Sequence, residues 1–366
     1  MIRLAQRSAS TIAVSASLLI ILAVEPVGAQ TFTGFGQSFQ YDQGFNPSVA
    51  IYNGIVVEVH NGTGGAGPLW YKVGRVAGPP VAEQNKLDVR PVGGLPTPPP
   101  ITWSDSKQFD DNGFNPSVAL VGSTVIEVHN GGATSGPLWY RTGTLNGDTI
   151  NWSEKKQYDT GFNPQVAVTG NTVVEVHNGG AGVGPLWYRM GKLSGVSLTW
   201  YDSHKFDSFS TNPSIAAIGG CGSPSGVCVV EVHNDNAAPG PLWYRYGGST
   251  DGSTITWENP VDYGAGWNPK ISWLGGSVLL EVHNGQAGSG PMYYYGGVLS
   301  GQPTQYDNGN NPSVALDPVT QGTLPPPPPG QGKTIWNYAI EVHNGGAGFG
   351  PEWYHFGRVT QTEIFQ

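Results

Sequence analysis

The tetrapeptide Glu-Val-His-Asn occurs six times in this chain, at Glu58–Asn61, Glu127–Asn130, Glu175–Asn178, Glu231–Asn234, Glu281–Asn284 and Glu341–Asn344. Each copy sits in the same frame. An Asn-Pro pair and a short apolar run precede it, and a Gly-rich turn and a run like Gly-Pro-Leu-Trp-Tyr-Arg follow it. Self-similarity of this length is the mark of a repeat architecture. One unit cannot bury its own apolar face, so neighbouring units stack.

The best-preserved unit, residues 115–161, reads as four strands. Asn115 to Leu120 and Thr124 to His129 are followed by Pro137 to Leu145 and by Thr149 to Asp159, which carries Trp152. Each is rich in β-branched or aromatic residues, and Gly or Asn stands at the junctions, where turns need positive φ. Four antiparallel strands per repeat predict a blade, and six repeats predict an all-β, six-bladed β-propeller. The sixth repeat has no Trp-bearing fourth strand after residues 351–359. The segment 31–44, ending Gln-Tyr-Asp-Gln-Gly like 157–161 and 305–309, is a fourth strand without a repeat of its own. The N-terminal strand is therefore expected to complete the last blade and seal the ring, removing an exposed sheet edge.

Composition supports this reading. The 366 residues include 55 Gly, 30 Pro and 12 Trp, and only 12% are charged. Disordered chains are poor in aromatics. Here Trp and Tyr recur at fixed positions, so Gly and Pro read as turns between short strands. Residues 1–29 have the form of a signal peptide, with Arg3 and Arg7, an apolar core and the small residues 27–29. This predicts a secreted, extracellular or periplasmic protein without membrane insertion. The propeller is expected over 30–366, interrupted by inserted surface loops at 77–100, 219–228 and 317–333; an interdomain linker is the alternative for the first. Cys221 and Cys228 are expected to pair as a local disulfide in an oxidising compartment. The net charge of −9, with no basic stripe, argues against nucleic acid as a partner, and a monomer is expected.

In a blade of alternating strands, the Asn-Pro turns and the His-Asn turns fall on one face of the disc. Loops held by a rigid scaffold are where binding concentrates. Two readings compete for the repeated polar residues. In one, Glu and His buttress neighbouring blades and Trp fills core. In the other, grooves between blades expose an aromatic ring beside carboxylate, imidazole, amide and guanidinium groups, which is the composition of a sugar pocket. The candidate ligand-binding residues are Glu58, His60 and Trp70 in the first repeat. The second offers Glu127, His129, Asn130, Trp139 and Arg141, and the third Glu175, His177, Asn178, Trp187 and Arg189. The remaining repeats offer Glu231, His233, Trp243 and Arg245, then Glu281, His283 and Tyr293, then Glu341, His343 and Trp353. The second and third repeats are the fullest, whereas Tyr293 and Tyr295 replace Trp and Arg in the fifth, and Glu352 and His355 replace Leu and Arg in the sixth. One His and one Glu per repeat are too few for a zinc site, so no metal and no cofactor are expected.

The run Val174 to Gly179, followed by Leu186-Trp187-Tyr188-Arg189, resembles the blade repeat of propeller lectins that bind fucose and related sugars. That resemblance implies sites between blades built from Glu175, Trp187, Arg189 and their counterparts. The stretch Ser249-Thr250-Asp251-Gly252-Ser253 to Trp257 resembles the Asp-box turn of sialidase-like propellers.

Three functions are compatible with these residues. Six similar sites suit a multivalent glycan binder, since linked weak sites gain avidity. A sialidase-like glycoside hydrolase requires one asymmetric centre with set carboxylates and an arginine cluster, whereas Arg141, Arg189 and Arg245 fall in separate repeats. A scaffold for protein contacts requires no sugar site. The expectation is a secreted lectin-like binder of glycans or glycoconjugates, with no catalytic residue assigned.

Overall fold

The computed structural model describes residues 30–77, 101–223, 226–235, 239–319, 322–323 and 333–363. The expected signal peptide and nearly all of the 77–100 insertion lie outside these residues, as does most of the 317–333 insertion. Among the described residues every regular element is a β-strand and every pairing between strands is antiparallel.

The second repeat shows the unit. The strand Thr124–Asn130 pairs on one side with the end of Lys107–Val121 and on the other with Gly136–Asn146. Gly136–Asn146 pairs in turn with Thr149–Trp152 and with the start of Lys156–Thr169. The expected fourth strand is thus split in two. Its second part does not end at a turn but runs on, as one extended strand, into the first strand of the next repeat.

The Asn of each Asn-Pro pair permits this. Asn46, Asn115, Asn163, Asn212, Asn268 and Asn311 all hold φ between 49° and 53°. That left-handed conformation is open to few residues besides Gly, and Asn is the most tolerant of them. It kinks the strand, shifts its register and turns its second half onto the next sheet, as between Phe162 and Gln165.

Sheets stack face to face, so the Glu-Val-His-Asn strand is buried on both sides. Val56, Val57 and Val59 in the first repeat, and Val173, Val174 and Val176 in the third, have no exposed surface. This is why these strands read as nearly continuous apolar runs rather than as alternating ones. Apolar clusters join successive repeats. Val57, Val59 and Val73 meet Val118, Leu120 and Val125, and Val174, Val176 and Met190 meet Ile215, Val227 and Val229. The cluster of Val49, Ile51 and Val56 with Ile340, Val342, Tyr354 and Phe356 joins the first repeat to the sixth.

The first and last described strands meet as expected. Phe39 pairs with Tyr354, Gln40 with Trp353 and Asp42 with Glu352, and Gln30–Phe32 continues the same sheet against Val359–Gln361. The Asp317 carboxylate adds to the seam, accepting the N–H groups of Asn53 and Gly54 at 2.8 and 2.7 Å. The architecture is therefore an all-β, closed antiparallel one, consistent with a propeller. Cys221 and Cys228 form a disulfide with their Cα atoms 5.6 Å apart.

A glycine recurs where the two outer strands of a repeat cross. A Cβ on Gly143 would lie 3.0 Å from the ring of Trp152, and on Gly191 3.0 Å from that of Trp200. At the seam the ring over Gly357 is Phe32, 2.9 Å from such a Cβ. The first N-terminal strand thus takes the place of the Trp-bearing strand that the sixth repeat lacks.

Candidate functional site at the repeat junctions

Register sets the layout. Glu127 faces Arg141 and His129 faces Trp139 across two paired strands. The same pairing puts Glu175 by Arg189 and His177 by Trp187, Glu231 by Arg245 and His233 by Trp243, and Glu58 by Lys72 and His60 by Trp70. In the fifth and sixth repeats Glu281 faces Tyr295, His283 faces Tyr293, Glu341 faces His355 and His343 faces Trp353.

Burial then separates these residues. All six glutamates of the motif are 0% exposed, and the six histidines are 0–2% exposed. Each Glu carboxylate faces Nδ1 of the His two residues on, as in Glu127–His129 at 3.0 Å and Glu281–His283 at 3.0 Å. A carboxylate deprived of water needs such a partner. Tyr263 and Tyr306, from the preceding repeats, donate further hydrogen bonds to Glu281 and Glu341 at 3.0 and 3.1 Å. The Glu–His pairs are therefore enclosed between the sheets and present almost no surface to solvent. At the seam, burial works against protonation of His60, but Glu58 and Glu352 outweigh it and lift the imidazole to about 9.

The Asn of the motif is equally enclosed. Asn130 donates from Nδ2 to Gly161 O at 3.2 Å and accepts the Asn163 N–H at 2.8 Å. Asn178 makes the same two bonds, to Ser210 O and Asn212 N, both at 3.2 Å. Each clasps the kink between its own repeat and the next, which occupies the amide that a ligand would need.

The aromatic residues remain accessible. Trp70, Trp139, Trp187, Trp243, Tyr293 and Trp353 are all half-buried. The Trp139 indole nitrogen would lie 2.9 Å from a Cβ on Gly131, and Trp187 and Trp353 stand likewise against Gly179 and Gly345. The Gly after His-Asn thus lets the ring lie flat on the turn. Lys155 Nζ sits over the Trp139 ring, 5.5 Å from its centroid.

An aspartate missed in the sequence completes every junction but that of the fifth repeat. Asp110, from the strand before the kink, meets Arg141 of the next repeat at 2.8 Å. Asp159 meets Arg189 at 2.7 Å, Asp207 meets Arg245, Asp42 meets Lys72 at 3.1 Å and Asp307 meets His355 at 2.7 Å. Burial opposes ionisation of Asp110, but hydrogen bonds from Lys155 and Arg141 prevail and hold its carboxyl at about 2. In the fifth repeat Gly264 stands where the others have Asp, and the Tyr295 hydroxyl fills the space, donating to Tyr263 O at 3.1 Å. The recurrent Asp after Tyr or Phe was the available signal. Its partner lies in the next repeat, and nothing local in the sequence shows that the two face one another.

A cavity of about 250 Å³ opens where the kinks converge. It is lined by all six kink asparagines, by Phe45, Phe114 and Phe162, and by Gln165 and Lys270. Ser48, Ser117, Ser214 and Ser313 stand after Asn-Pro in the other repeats. Ser48, Ser117 and Ser214 bond the backbone of the next repeat at 3.2 Å and Ser313 at 3.3 Å. Gln165 and Lys270 replace two of these links with long polar side chains. Burial lowers the Lys270 amine to about 7.

No protein-family model matches the chain, and no curated protein does. Among solved structures it is similar to Trypanosoma rangeli sialidase in complex with the inhibitor DANA, at 9% identity and a TM-score of 0.45, covering 89% of this chain and 59% of that one. It is also similar to a neuraminidase-like protein from A/bat/Guatemala/164/2009, at 8% identity and a TM-score of 0.45, covering 90% of this chain and 94% of that one. A third similar structure is the Bacteroides ovatus xyloglucan PUL GH43B, at 8% identity and a TM-score of 0.38, covering 89% of this chain and 98% of that one.

Proposed function

We propose that this chain is an exported, monomeric six-bladed β-propeller that binds glycans at sites repeated around the ring. The observation that carries the reading is a half-buried Trp beside an interblade Arg–Asp pair, repeated in the second, third and fourth blades. Trp139, Trp187 and Trp243 offer a ring face to the apolar side of a pyranose. Arg141 and Arg189, each held by its aspartate and part-exposed, offer fixed donors for hydroxyls, while the equivalent Arg245 is buried and positions the fourth junction. The Glu–His pairs and clasping asparagines position these groups rather than touch the sugar. Blades one and six carry Trp70 and Trp353 without an arginine, and blade five carries Tyr293 alone, so binding strength differs around the ring. A glycan array on the full chain tests the proposal. Saturable binding to a sugar class supports it, whereas a folded chain that binds none points to a protein-contact scaffold.

A sialidase-like hydrolase is the second reading. It is favoured by the Asp251 turn, in which the carboxylate accepts the Ser253 N–H at 2.8 Å and the Ser249 hydroxyl at 3.0 Å, in the manner of an Asp-box. Against it, Arg141, Arg189 and Arg245 are each engaged at a different junction and supply no common arginine cluster. Turnover of chromogenic glycosides, including a sialoside, decides between binder and enzyme.

A further inference from the structure

We propose that Asp307, His343 and His355 form a binding site for a divalent transition-metal ion of the zinc class, at the junction of the fifth and sixth repeats. The three ligand atoms lie within 4.8 Å of one another. Asp307 Oδ2 is 2.7 Å from His355 Nε2 and 3.8 Å from His343 Nε2. Ligands on a tetrahedral zinc with bonds of ~2.0–2.1 Å stand about 3.4 Å apart, so the separations bracket the required value.

The hydrogen bonding calls for a positive charge at this point, and the orientation of the imidazoles suits a metal ion as its source. His343 turns Nδ1 to the Glu341 carboxylate at 3.1 Å, and His355 turns Nδ1 to the Gly36 carbonyl at 2.8 Å. Both partners are acceptors only, so each Nδ1 carries the proton. In a neutral imidazole Nε2 then has a bare lone pair. Both Nε2 atoms face one carboxylate oxygen, His355 at hydrogen-bond distance, so the positive charge that joins them is a proton on the imidazoles or a metal ion in its place. Imidazoles oriented by a carboxylate or a carbonyl on the far nitrogen are the usual second layer of a metal centre. Phe35 and Tyr306 pack on the His355 ring, at 5.6 and 5.4 Å between centroids, and fix it further. The Asp307 side chain is 28% exposed, so solvent reaches the cluster from its side.

The other junctions show why this one differs. His129 Nε2 stands 3.9 Å from Asp110, as His343 does from Asp307, but there Arg141 supplies the cation at 2.8 Å. In the sixth repeat His355 replaces that arginine, exchanging a built-in charge for a ligand atom. The buried cluster of Glu58, His60 and Glu352 is of another kind. His60 turns the same atom, Nδ1, to Glu58 at 3.1 Å and toward Glu352 at 3.5 Å, so no second imidazole nitrogen faces the carboxylates.

The test is titration of the untagged full chain with Zn2+ against a chromophoric chelator, with Co2+ as a spectroscopic stand-in. The expected result is one equivalent bound at micromolar or lower Kd, d–d absorption of a low-coordinate N2O site with Co2+, and a melting temperature that rises with Zn2+. The variant His355→Arg restores the Arg–Asp pair of the second to fourth repeats. It should fold, lose affinity by at least about 100-fold and melt independently of Zn2+. Absence of stoichiometric uptake overturns the proposal, as does unchanged uptake in His355→Arg. The proposal does not depend on the glycan reading.

Discussion

Asn344 Oδ1 accepts the backbone N–H of Asn46 at 2.9 Å, across 298 positions of chain. Its Nδ2 donates to Gly44 O at 3.1 Å. The same two bonds made by Asn130 and Asn178 join consecutive repeats, so the first and last repeats are neighbours in the same sense as any other two.

Asn344→Ala should therefore cost as much as Asn130→Ala. Each strands one buried N–H and one buried carbonyl, at ~1–3 kcal/mol apiece. Chemical denaturation of both variants checks this. A seam variant as stable as the parent would mean that the ring does not depend on its closure.

Gly143→Ala should destabilise although its φ is not left-handed. The added methyl would lie 2.5 Å from Ile150 Cγ2 and 3.0 Å from the Trp152 ring. Overpacking of this kind costs ~1–3 kcal/mol, and the thermal midpoint should fall accordingly.

Glu352 lies at a position held by Leu69, Leu138, Leu186 and Leu242 in the first four repeats. Its carboxyl is 0% exposed, and burial pushes it well above the usual carboxylate range. A raised acid favours the fold while protonated, so its contribution is complete below the ordinary carboxylate range and is lost as pH rises through the raised value. His60, lifted to about 9, adds stability that is complete below the ordinary histidine range and is lost as pH rises through that value. The parent should lose stability from mildly acidic to alkaline pH. Glu352→Leu should flatten the profile and raise the alkaline melting temperature. Parallel melts across that range measure the difference, and parallel profiles would refute it.

Trp187→Ala should leave a folded ring. Its indole is half-buried, so the loss should fall below the ~3–5 kcal/mol of a fully buried Trp, while sugar-protected quenching of Trp fluorescence weakens. A melting temperature lowered by the full core amount, with binding unchanged, would place Trp187 in the core and remove it from the glycan site.

The period, the first three strands of each unit and the strand exchange between the two ends were legible in the residues alone, whereas the split of the fourth strand and its run into the next unit were not. Each follows from local chemistry: β-branched and aromatic runs, turn-forming Gly and Asn, and a fourth strand absent at one end and spare at the other. What each polar side chain does was decided only by stacking. Glu127 and Glu175 read as candidates for a ligand, yet the neighbouring sheet covers them and leaves His as their partner. Asp110 and Asp307 carried no visible partner, because Arg141 and His355 arrive from the next repeat and only the stacking of repeats brings them together. A repeat specifies its own strands through nearest neighbours in sequence. A junction is specified by two repeats at once, and the exchange of one Arg for His at position 355 changes its chemistry without changing the pattern that builds it.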